Sequence, residues 1–213
     1  MTLNRLEAFS NGAMKRSFSD FLLFGVTAVE LTILVLLTPT FTATDWIYVA
    51  QHLIVLAIAM SRASPDAQDR SLATSIAVVV SYGYPYAQVI YLRWTPGQLA
   101  WPEGGIVLVT LAAFLSAVSL ITLGRRFGVR PALRGLANKG PYALVRHPMY
   151  LSYLLADIGY NLQEWNAGTA LMVVTGWASL IYRIHAEERI LSLDAGWQTY
   201  SSRVRYRLLF GIW

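Results

Sequence analysis

Long apolar runs separated by short basic clusters constrain this chain more than any other feature of its sequence. A helix that crosses about 30 Å of hydrocarbon needs roughly 17–25 mostly apolar residues. Four stretches are good candidates: 21–37 with Glu30 inside, 46–60 interrupted by Gln51 and His52, 72–92, and 106–123. A fifth, 167–182, carries no charge and follows a shorter run, 151–162, that contains Asp157. At helical rise the shorter run reaches only about 18 Å, which suits a half-span or tilted helix joined to its neighbour by a tight turn over 163–166. The alternative for 21–37 is a signal peptide, since Lys15 and Arg16 precede it. The run is long for that role and no small-x-small cleavage site follows, so it reads as a membrane anchor.

Composition supports a chain solvated mainly by lipid. Only 14% of the 213 residues are charged, against roughly a quarter in a soluble domain. The chain has no cysteine, which excludes a disulfide scaffold, a thiolate metal site and a cysteine nucleophile. The expected fold is all-α: a polytopic transmembrane bundle of five or six helices, with interfacial helices at the C-terminal end. Residues 1–123 would form the N-terminal membrane region and 124–213 a second, chemistry-bearing unit.

The net charge of +5 would suit nucleic acid if the basic residues shared a face, but their distribution says otherwise. Arg5, Lys15 and Arg16 precede the first run, Arg62 and Arg70 lie in the 61–71 loop, and Arg125, Arg126, Arg130, Arg134, Lys139 and Arg146 occupy the 124–148 loop. Arg183, Arg189, Arg203, Arg205 and Arg207 complete one side, leaving Arg93 alone on the other. Lys and Arg accumulate in cytoplasmic loops, so the sequence predicts both termini in the cytoplasm and no nucleic-acid partner. Glu30 and Asp157 are ionisable groups inside apolar runs, where they mark either a substrate contact or a satisfied packing hydrogen bond. Gly83-Tyr84-Pro85 reads as a kink and His52 as a structural residue.

The residues that carry chemistry crowd into the C-terminal 90. Gly140-Pro141-Tyr142 leads to Val145-Arg146-His147-Pro148-Met149-Tyr150, and each proline holds the residue before it in extended or turn geometry. Such a loop can gather backbone amides, an arginine, a histidine and two tyrosines at a membrane surface. Past the helical hairpin stands Arg183-Ile184-His185-Ala186-Glu187-Glu188-Arg189, in which Arg183 and Glu187 are four apart, on one helical face, and able to pair. The two polar clusters bracket one hairpin and must meet at its mouth. Farther on, Ile190, Leu193, Trp197, Tyr200 and Val204 form an amphipathic stripe, expected as two short interfacial helices hinged at Gly196.

These two ordered motifs, Gly140 to Tyr150 and Glu187-Glu188 with Trp197, Tyr200 and Val204 behind them, resemble the isoprenylcysteine carboxyl methyltransferase and phospholipid methyltransferase superfamily of integral membrane enzymes. The resemblance covers roughly 120–213. It implies an S-adenosylmethionine-dependent methyltransferase with a cofactor pocket on the cytoplasmic side and a lipophilic acceptor that enters from the bilayer. It assigns Tyr142, Leu144, Val145, Arg146, His147, Pro148, Tyr150, Glu187 and Glu188 to cofactor binding, Arg183 and Glu187 to catalysis, and no metal. A carboxylate acceptor would need no base and Arg183 could hold it, whereas an amine acceptor would need Glu187 or His147 to take its proton. Isoprenylcysteine carboxyl O-methylation and phosphatidylethanolamine N-methylation therefore both fit. A sterol-type reductase using NADPH shares a related Arg-His-Pro loop, and a non-catalytic membrane module is the other alternative. The family's Leu-Pro-Gly-like tail is replaced here by Leu208-Leu209-Phe210-Gly211-Ile212-Trp213.

Overall fold

The computed structural model describes residues 25, 27–29, 31–32, 35–36, 41, 43–61, 65–211 and 213. The described positions between 25 and 36 are helical, and Thr32 bonds back to the Ala28 carbonyl at 2.8 Å. The remainder of the 21–37 run, with Glu30, and the basic residues Arg5, Lys15, Arg16 and Arg62 lie outside the described residues.

The chain is mostly helical. In order come α1 (Ala43–Ser61), a two-residue strand β1 (Ala67–Gln68), α2 (Leu72–Trp94), α3 (Pro102–Leu123), a 3-10 turn at Gly124–Arg126 and a second short strand β2 (Ala132–Leu133). A 3-10 turn at Gly140–Ala143 then leads into α4 (Pro148–Gln163), α5 (Ala167–Leu191) and α6 (Trp197–Arg203). The helix starts are written in the sequence. Pro102 and Pro148 open α3 and α4 at the first helical position, where no amide hydrogen is needed. Ser71 caps α2 by accepting from the Thr74 amide, and Asn166 and Thr169 form a reciprocal capping box on α5.

Two departures from the sequence expectation concern length. The uncharged run 167–182 is only the first part of α5, which continues unbroken through Arg183, Glu187 and Glu188 to Leu191. The amphipathic stripe after it is therefore not two short helices hinged at Gly196. Ile190 belongs to the last turn of α5, Ser192 to Gly196 form turns, and α6 alone follows. Among the described residues, 102–126 and 167–191 are long and apolar enough to cross a membrane. Pro85 sits inside α2 without interrupting its helical course.

Packing is the inverse of a soluble bundle. The buried face of α3 carries Gly105, Val109, Ala112, Ser116, Ser119 and Leu120, whereas Val107, Leu111, Phe114 and Ile121 point outward. Small residues inside let helix backbones approach, and large apolar ones outside suit lipid. At the closest point a Cβ on Gly105 would lie 2.5 Å from the Gly159 carbonyl oxygen of α4, and one on Gly159 would lie 2.8 Å from Val109. Across α2, α4 and α5, Tyr84 Oη and Trp177 Nε1 both donate to Asp157 Oδ2. Asp157 is thus a helix-packing acceptor.

Both ends of the bundle are tied. At one, Gln98 and Trp165 exchange backbone hydrogen bonds of 2.7 and 3.0 Å, and Gly97 donates its amide to Glu164 Oε1 at 2.8 Å. At the other, β1 pairs antiparallel with β2 and the Asp69 amide donates to the Pro131 carbonyl at 3.0 Å. Both chemistry-bearing segments lie at this second end.

Candidate functional site

Gly140 adopts a left-handed backbone, φ +53°, with Thr122 pressed against the place of a missing Cβ. That geometry, which favours glycine, turns the chain off the end of α3 into the Pro141-Tyr142-Ala143 turn. The Tyr142 side chain is buried and its carbonyl accepts from Tyr200 Oη of α6 at 2.9 Å. Beyond it the tail folds back: the Arg146 amide donates to the Tyr206 carbonyl and the His147 amide to that of Arg207, each at 2.9 Å. His147 then precedes the first turn of α4, which carries Tyr150 inward.

Across the gap, the last turns of α5 present Arg183, Glu187 and Glu188. Glu188 is the anchor of the tail. Its Oε2 accepts from Arg207 Nε and Nη2 at 2.9 and 2.8 Å, and its Oε1 lies 3.3 Å from His147 Nε2 and 3.2 Å from Arg146 Nε. Glu187 instead faces the interior, where its Oε2 accepts from Tyr150 Oη at 2.9 Å.

Arg183 does not pair with Glu187 as its four-residue spacing suggested. Only 3% exposed, it reaches across to α2 and to the loop after α3, where Nη1 donates to Ser81 Oγ at 2.8 Å and Nη2 to the Val129 carbonyl at 2.9 Å. Its guanidinium carbon lies 5.1 Å from the centre of the Tyr82 ring and 5.2 Å from that of Tyr150. A buried cation is held by neutral acceptors and ring faces, which leaves Nε without a hydrogen-bond partner. The Arg146 Nε is likewise buried and, although close to Glu188, not directed into a hydrogen bond.

Between these segments lies a pocket with about 740 Å³ of empty space, part of it open solvent at the mouth. Of the residues singled out from the sequence, Tyr142, Arg146, His147, Tyr150, Arg183 and Glu187 line it. Val145 and Pro148 are buried behind the wall, Leu144 is 60% exposed, and Glu188 braces the loop from outside the cavity. The lining also includes residues that the sequence did not assign to the pocket: Tyr82 from α2, Tyr153 from α4, Tyr200 from α6, and Arg126, Arg130 and Arg134 from the loop after α3. Burial, reinforced by the charge of Glu187, raises the Tyr142 hydroxyl well above the usual tyrosine range. Tyr200 is pushed up to about 12 by burial, against the pull of Arg146 and Arg203. Both remain neutral hydrogen-bonding groups at physiological pH.

The arrangement suits a ligand with an anionic group for the spare arginine donors, a cationic or hydroxyl group for Glu187, and flat surfaces for the tyrosine rings. Residues 105–193 match the isoprenylcysteine carboxyl methyltransferase (ICMT) family model. The protein-S-isoprenylcysteine O-methyltransferase B of Arabidopsis thaliana is 26% identical over 180 residues, 79% of this chain and 90% of that protein. Protein-S-isoprenylcysteine O-methyltransferase A of the same plant is 28% identical over 100 residues, 44% of this chain and 51% of that protein.

Proposed function

We propose that this chain, a methyltransferase of the isoprenylcysteine carboxyl methyltransferase family, is an integral membrane enzyme that transfers a methyl group from S-adenosylmethionine to the carboxylate of an isoprenylated cysteine. The observation that carries the reading is the buried Arg183, with an unpartnered Nε, lining one pocket with the Tyr150–Glu187 pair and with Arg146 and His147. The names of the two plant relatives supply the acceptor class.

The residues fit such a cofactor. Glu187 would take its ammonium or ribose hydroxyls, and Arg146 with His147 its carboxylate. Tyr142 and Tyr150 wall the site with ring surface, while Leu144, Val145, Pro148 and Glu188 fix the course of the loop that wraps it. When bound, S-adenosylmethionine supplies an electrophilic methyl on a cationic sulfur. The protein's part is to hold the acceptor in line and to exclude water. Arg183 does this by directing its free Nε–H at the acceptor carboxylate. A carboxylate attacks as it arrives, so no base is required, and Glu187 can remain an ionised cofactor ligand. The many arginines in the wall favour an acceptor that arrives as an anion over one that arrives as an ammonium.

The same proposal places the pocket on the cytoplasmic side of a bundle of five or six spans, with both termini in the cytoplasm, residues 1–123 as the membrane region and 124–213 as the core. The outward apolar faces of α3 and α5 support it. The test is to incubate the purified chain in lipid nanodiscs with methyl-labelled cofactor and either S-farnesylated N-acetylcysteine or phosphatidylethanolamine. An alkali-labile methyl ester on the prenylated cysteine is expected, and Arg183→Lys and Glu187→Gln should each lower its rate by about 10²-fold or more. Label on phosphatidylethanolamine alone, or full activity in both variants, overturns the reading.

A further inference from the structure

Arg183 is a buried cation whose nitrogens are divided between the protein and the cavity. Nη1 donates to Ser81 Oγ at 2.8 Å and Nη2 to the Val129 carbonyl at 2.9 Å, which leaves Nε as the nitrogen without a partner. The Tyr82 and Tyr150 rings, 5.1 and 5.2 Å from the guanidinium carbon, attract the charge but do not choose among its nitrogens. Hydrogen bonds are directional, so the two neutral oxygens decide which way the remaining nitrogen is turned. The Val129 oxygen belongs to the backbone. The Ser81 oxygen belongs to a side chain, and its presence depends on the residue at that position.

Ser81 is built to accept. It is buried in α2 and is not among the residues that line the pocket. Its own hydroxyl proton goes to the Val78 carbonyl at 3.1 Å. A hydroxyl has one proton and two lone pairs, so that bond leaves Ser81 an acceptor toward Arg183. The hydroxyl is satisfied without the arginine, whereas the buried arginine needs the hydroxyl. The register of α2 against α5 is set one turn farther on. There the Tyr84 ring occupies the space that a Cβ on Gly176 of α5 would need, 2.4 Å from the nearest ring carbon. Tyr84 Oη donates to Asp157 Oδ2, which also accepts from Trp177 Nε1 of α5 at 2.8 Å. Arg183 lies about two helical turns along α5 from Gly176, so the contact that seats α2 on α5 also brings Ser81 opposite Arg183.

We propose that Ser81 is a positioning residue for the methyl acceptor: it holds the Arg183 guanidinium in the one orientation that directs the free Nε–H at the acceptor. The anchoring of Arg183 requires only the hydrogen bonds described, whereas the role in transfer deepens the methyl-transfer reading and rests on it. Without the Ser81 oxygen, Nη1 becomes a second free donor and the guanidinium can turn about the Nε–Cζ bond. The acceptor then meets several orientations in place of one, and fewer encounters are in line for attack. The cofactor is untouched, because its proposed ligands are Arg146, His147 and Glu187.

The experiment uses the full chain in lipid nanodiscs with isotope-labelled arginine nitrogens. Rotation about Nε–Cζ exchanges Nη1 with Nη2, so a held Arg183 gives two resolved Nη resonances, identified by their loss in Arg183→Lys. Wild type and Ser81→Thr, which keeps the hydroxyl, should show both, and in Ser81→Ala they should merge. Single-turnover transfer from methyl-labelled cofactor to S-farnesylated N-acetylcysteine should fall about 10–100-fold in Ser81→Ala, the worth of a hydrogen bond to a charged group. It should recover in Ser81→Thr, with the cofactor Kd unchanged in both. On an Arg183→Lys background Ser81→Ala should cost nothing more, because the two residues act as one unit, whereas a loss of stability alone would multiply. If Ser81→Ala does not fold, Ser81→Cys, close in shape and a weak acceptor, takes its place. Resolved resonances in Ser81→Ala, an equal rate loss in Ser81→Thr, or a full further loss on Arg183→Lys overturns the assignment. Resonances that depend on Ser81 in a wild type that transfers no methyl to the prenylated cysteine support the anchoring and overturn the methyl-transfer reading instead.

Discussion

Glu188 holds three basic side chains on two oxygens, and the division matters. Arg207, from the tail, takes Oε2 through two nitrogens, while His147 and Arg146, from the loop before α4, share Oε1. Arg207 thereby acts on the pocket through another residue, as a positioning group, and its ring contact with Trp213 at 5.2 Å keeps the tail in register. Arg207→Gln should leave the acceptor KM unchanged and raise the cofactor KM by about tenfold, the equivalent of one charge-assisted hydrogen bond. Steady-state kinetics with each substrate varied in turn checks this, and an equal fall in kcat with unchanged KM values would refute it. The sequence motifs pointed to His147, Arg146, Glu187 and Glu188 because those residues cluster within short, unusual segments. Ser81, Tyr82 and Arg207 left no such trace. Each is an ordinary residue in its own segment and becomes part of the site only when α2 or the tail arrives beside it.

At the scale of elements, apolar run length located α1 to α4 to within a few residues, and the start of α5. Helix caps and prolines did the rest. Run length left out the end of α5, because an apolar run stops at the first charge whereas the helix continues to Leu191. The backbone does not stop where the hydrocarbon does, and Arg183 and Glu188 stay helical while their side chains turn to protein partners. The α3–α4 contact offers the sharpest test of the packing. Gly105 and Gly159 let the two backbones touch, so Gly159→Leu should force the helices apart at a cost of about 1–3 kcal/mol or more. Thermal unfolding in detergent should shift down by roughly 2–4 °C for each of those kcal/mol. Leu111→Ala, on the outward face, should change it far less. Equal shifts for the two would mean that this face is not the interface.

Across the whole molecule the two ends differ in character. Trp94, Trp101 and Trp165 are exposed at the end opposite the pocket, where aromatic rings suit the membrane interface, and the arginine-rich loops gather at the pocket end. A chain without cysteine is a ready background for measuring which end faces which side. Ser202→Cys, exposed on α6 at the pocket end, and Leu99→Cys, exposed in the connection between α2 and α3, should react with impermeant maleimides from opposite faces of sealed vesicles. Labelling of both from one face would contradict a bundle that spans.

Arg183 joins parts of the chain that are made far apart in time. Its hydrogen bonds reach 102 residues back to Ser81 and 54 back to Val129, and the loop it adjoins is braced through Glu188 by Arg207, which lies beyond α6. Contacts of such wide separation form late, after the closure entropy of the intervening chain has been met. The pocket is therefore complete only when α2, the loop after α3, α5 and the tail have come together. A variant that inserts every helix but fails to dock the tail would be present in the membrane and silent, so methyl transfer reports completed folding more stringently than expression level or helix content.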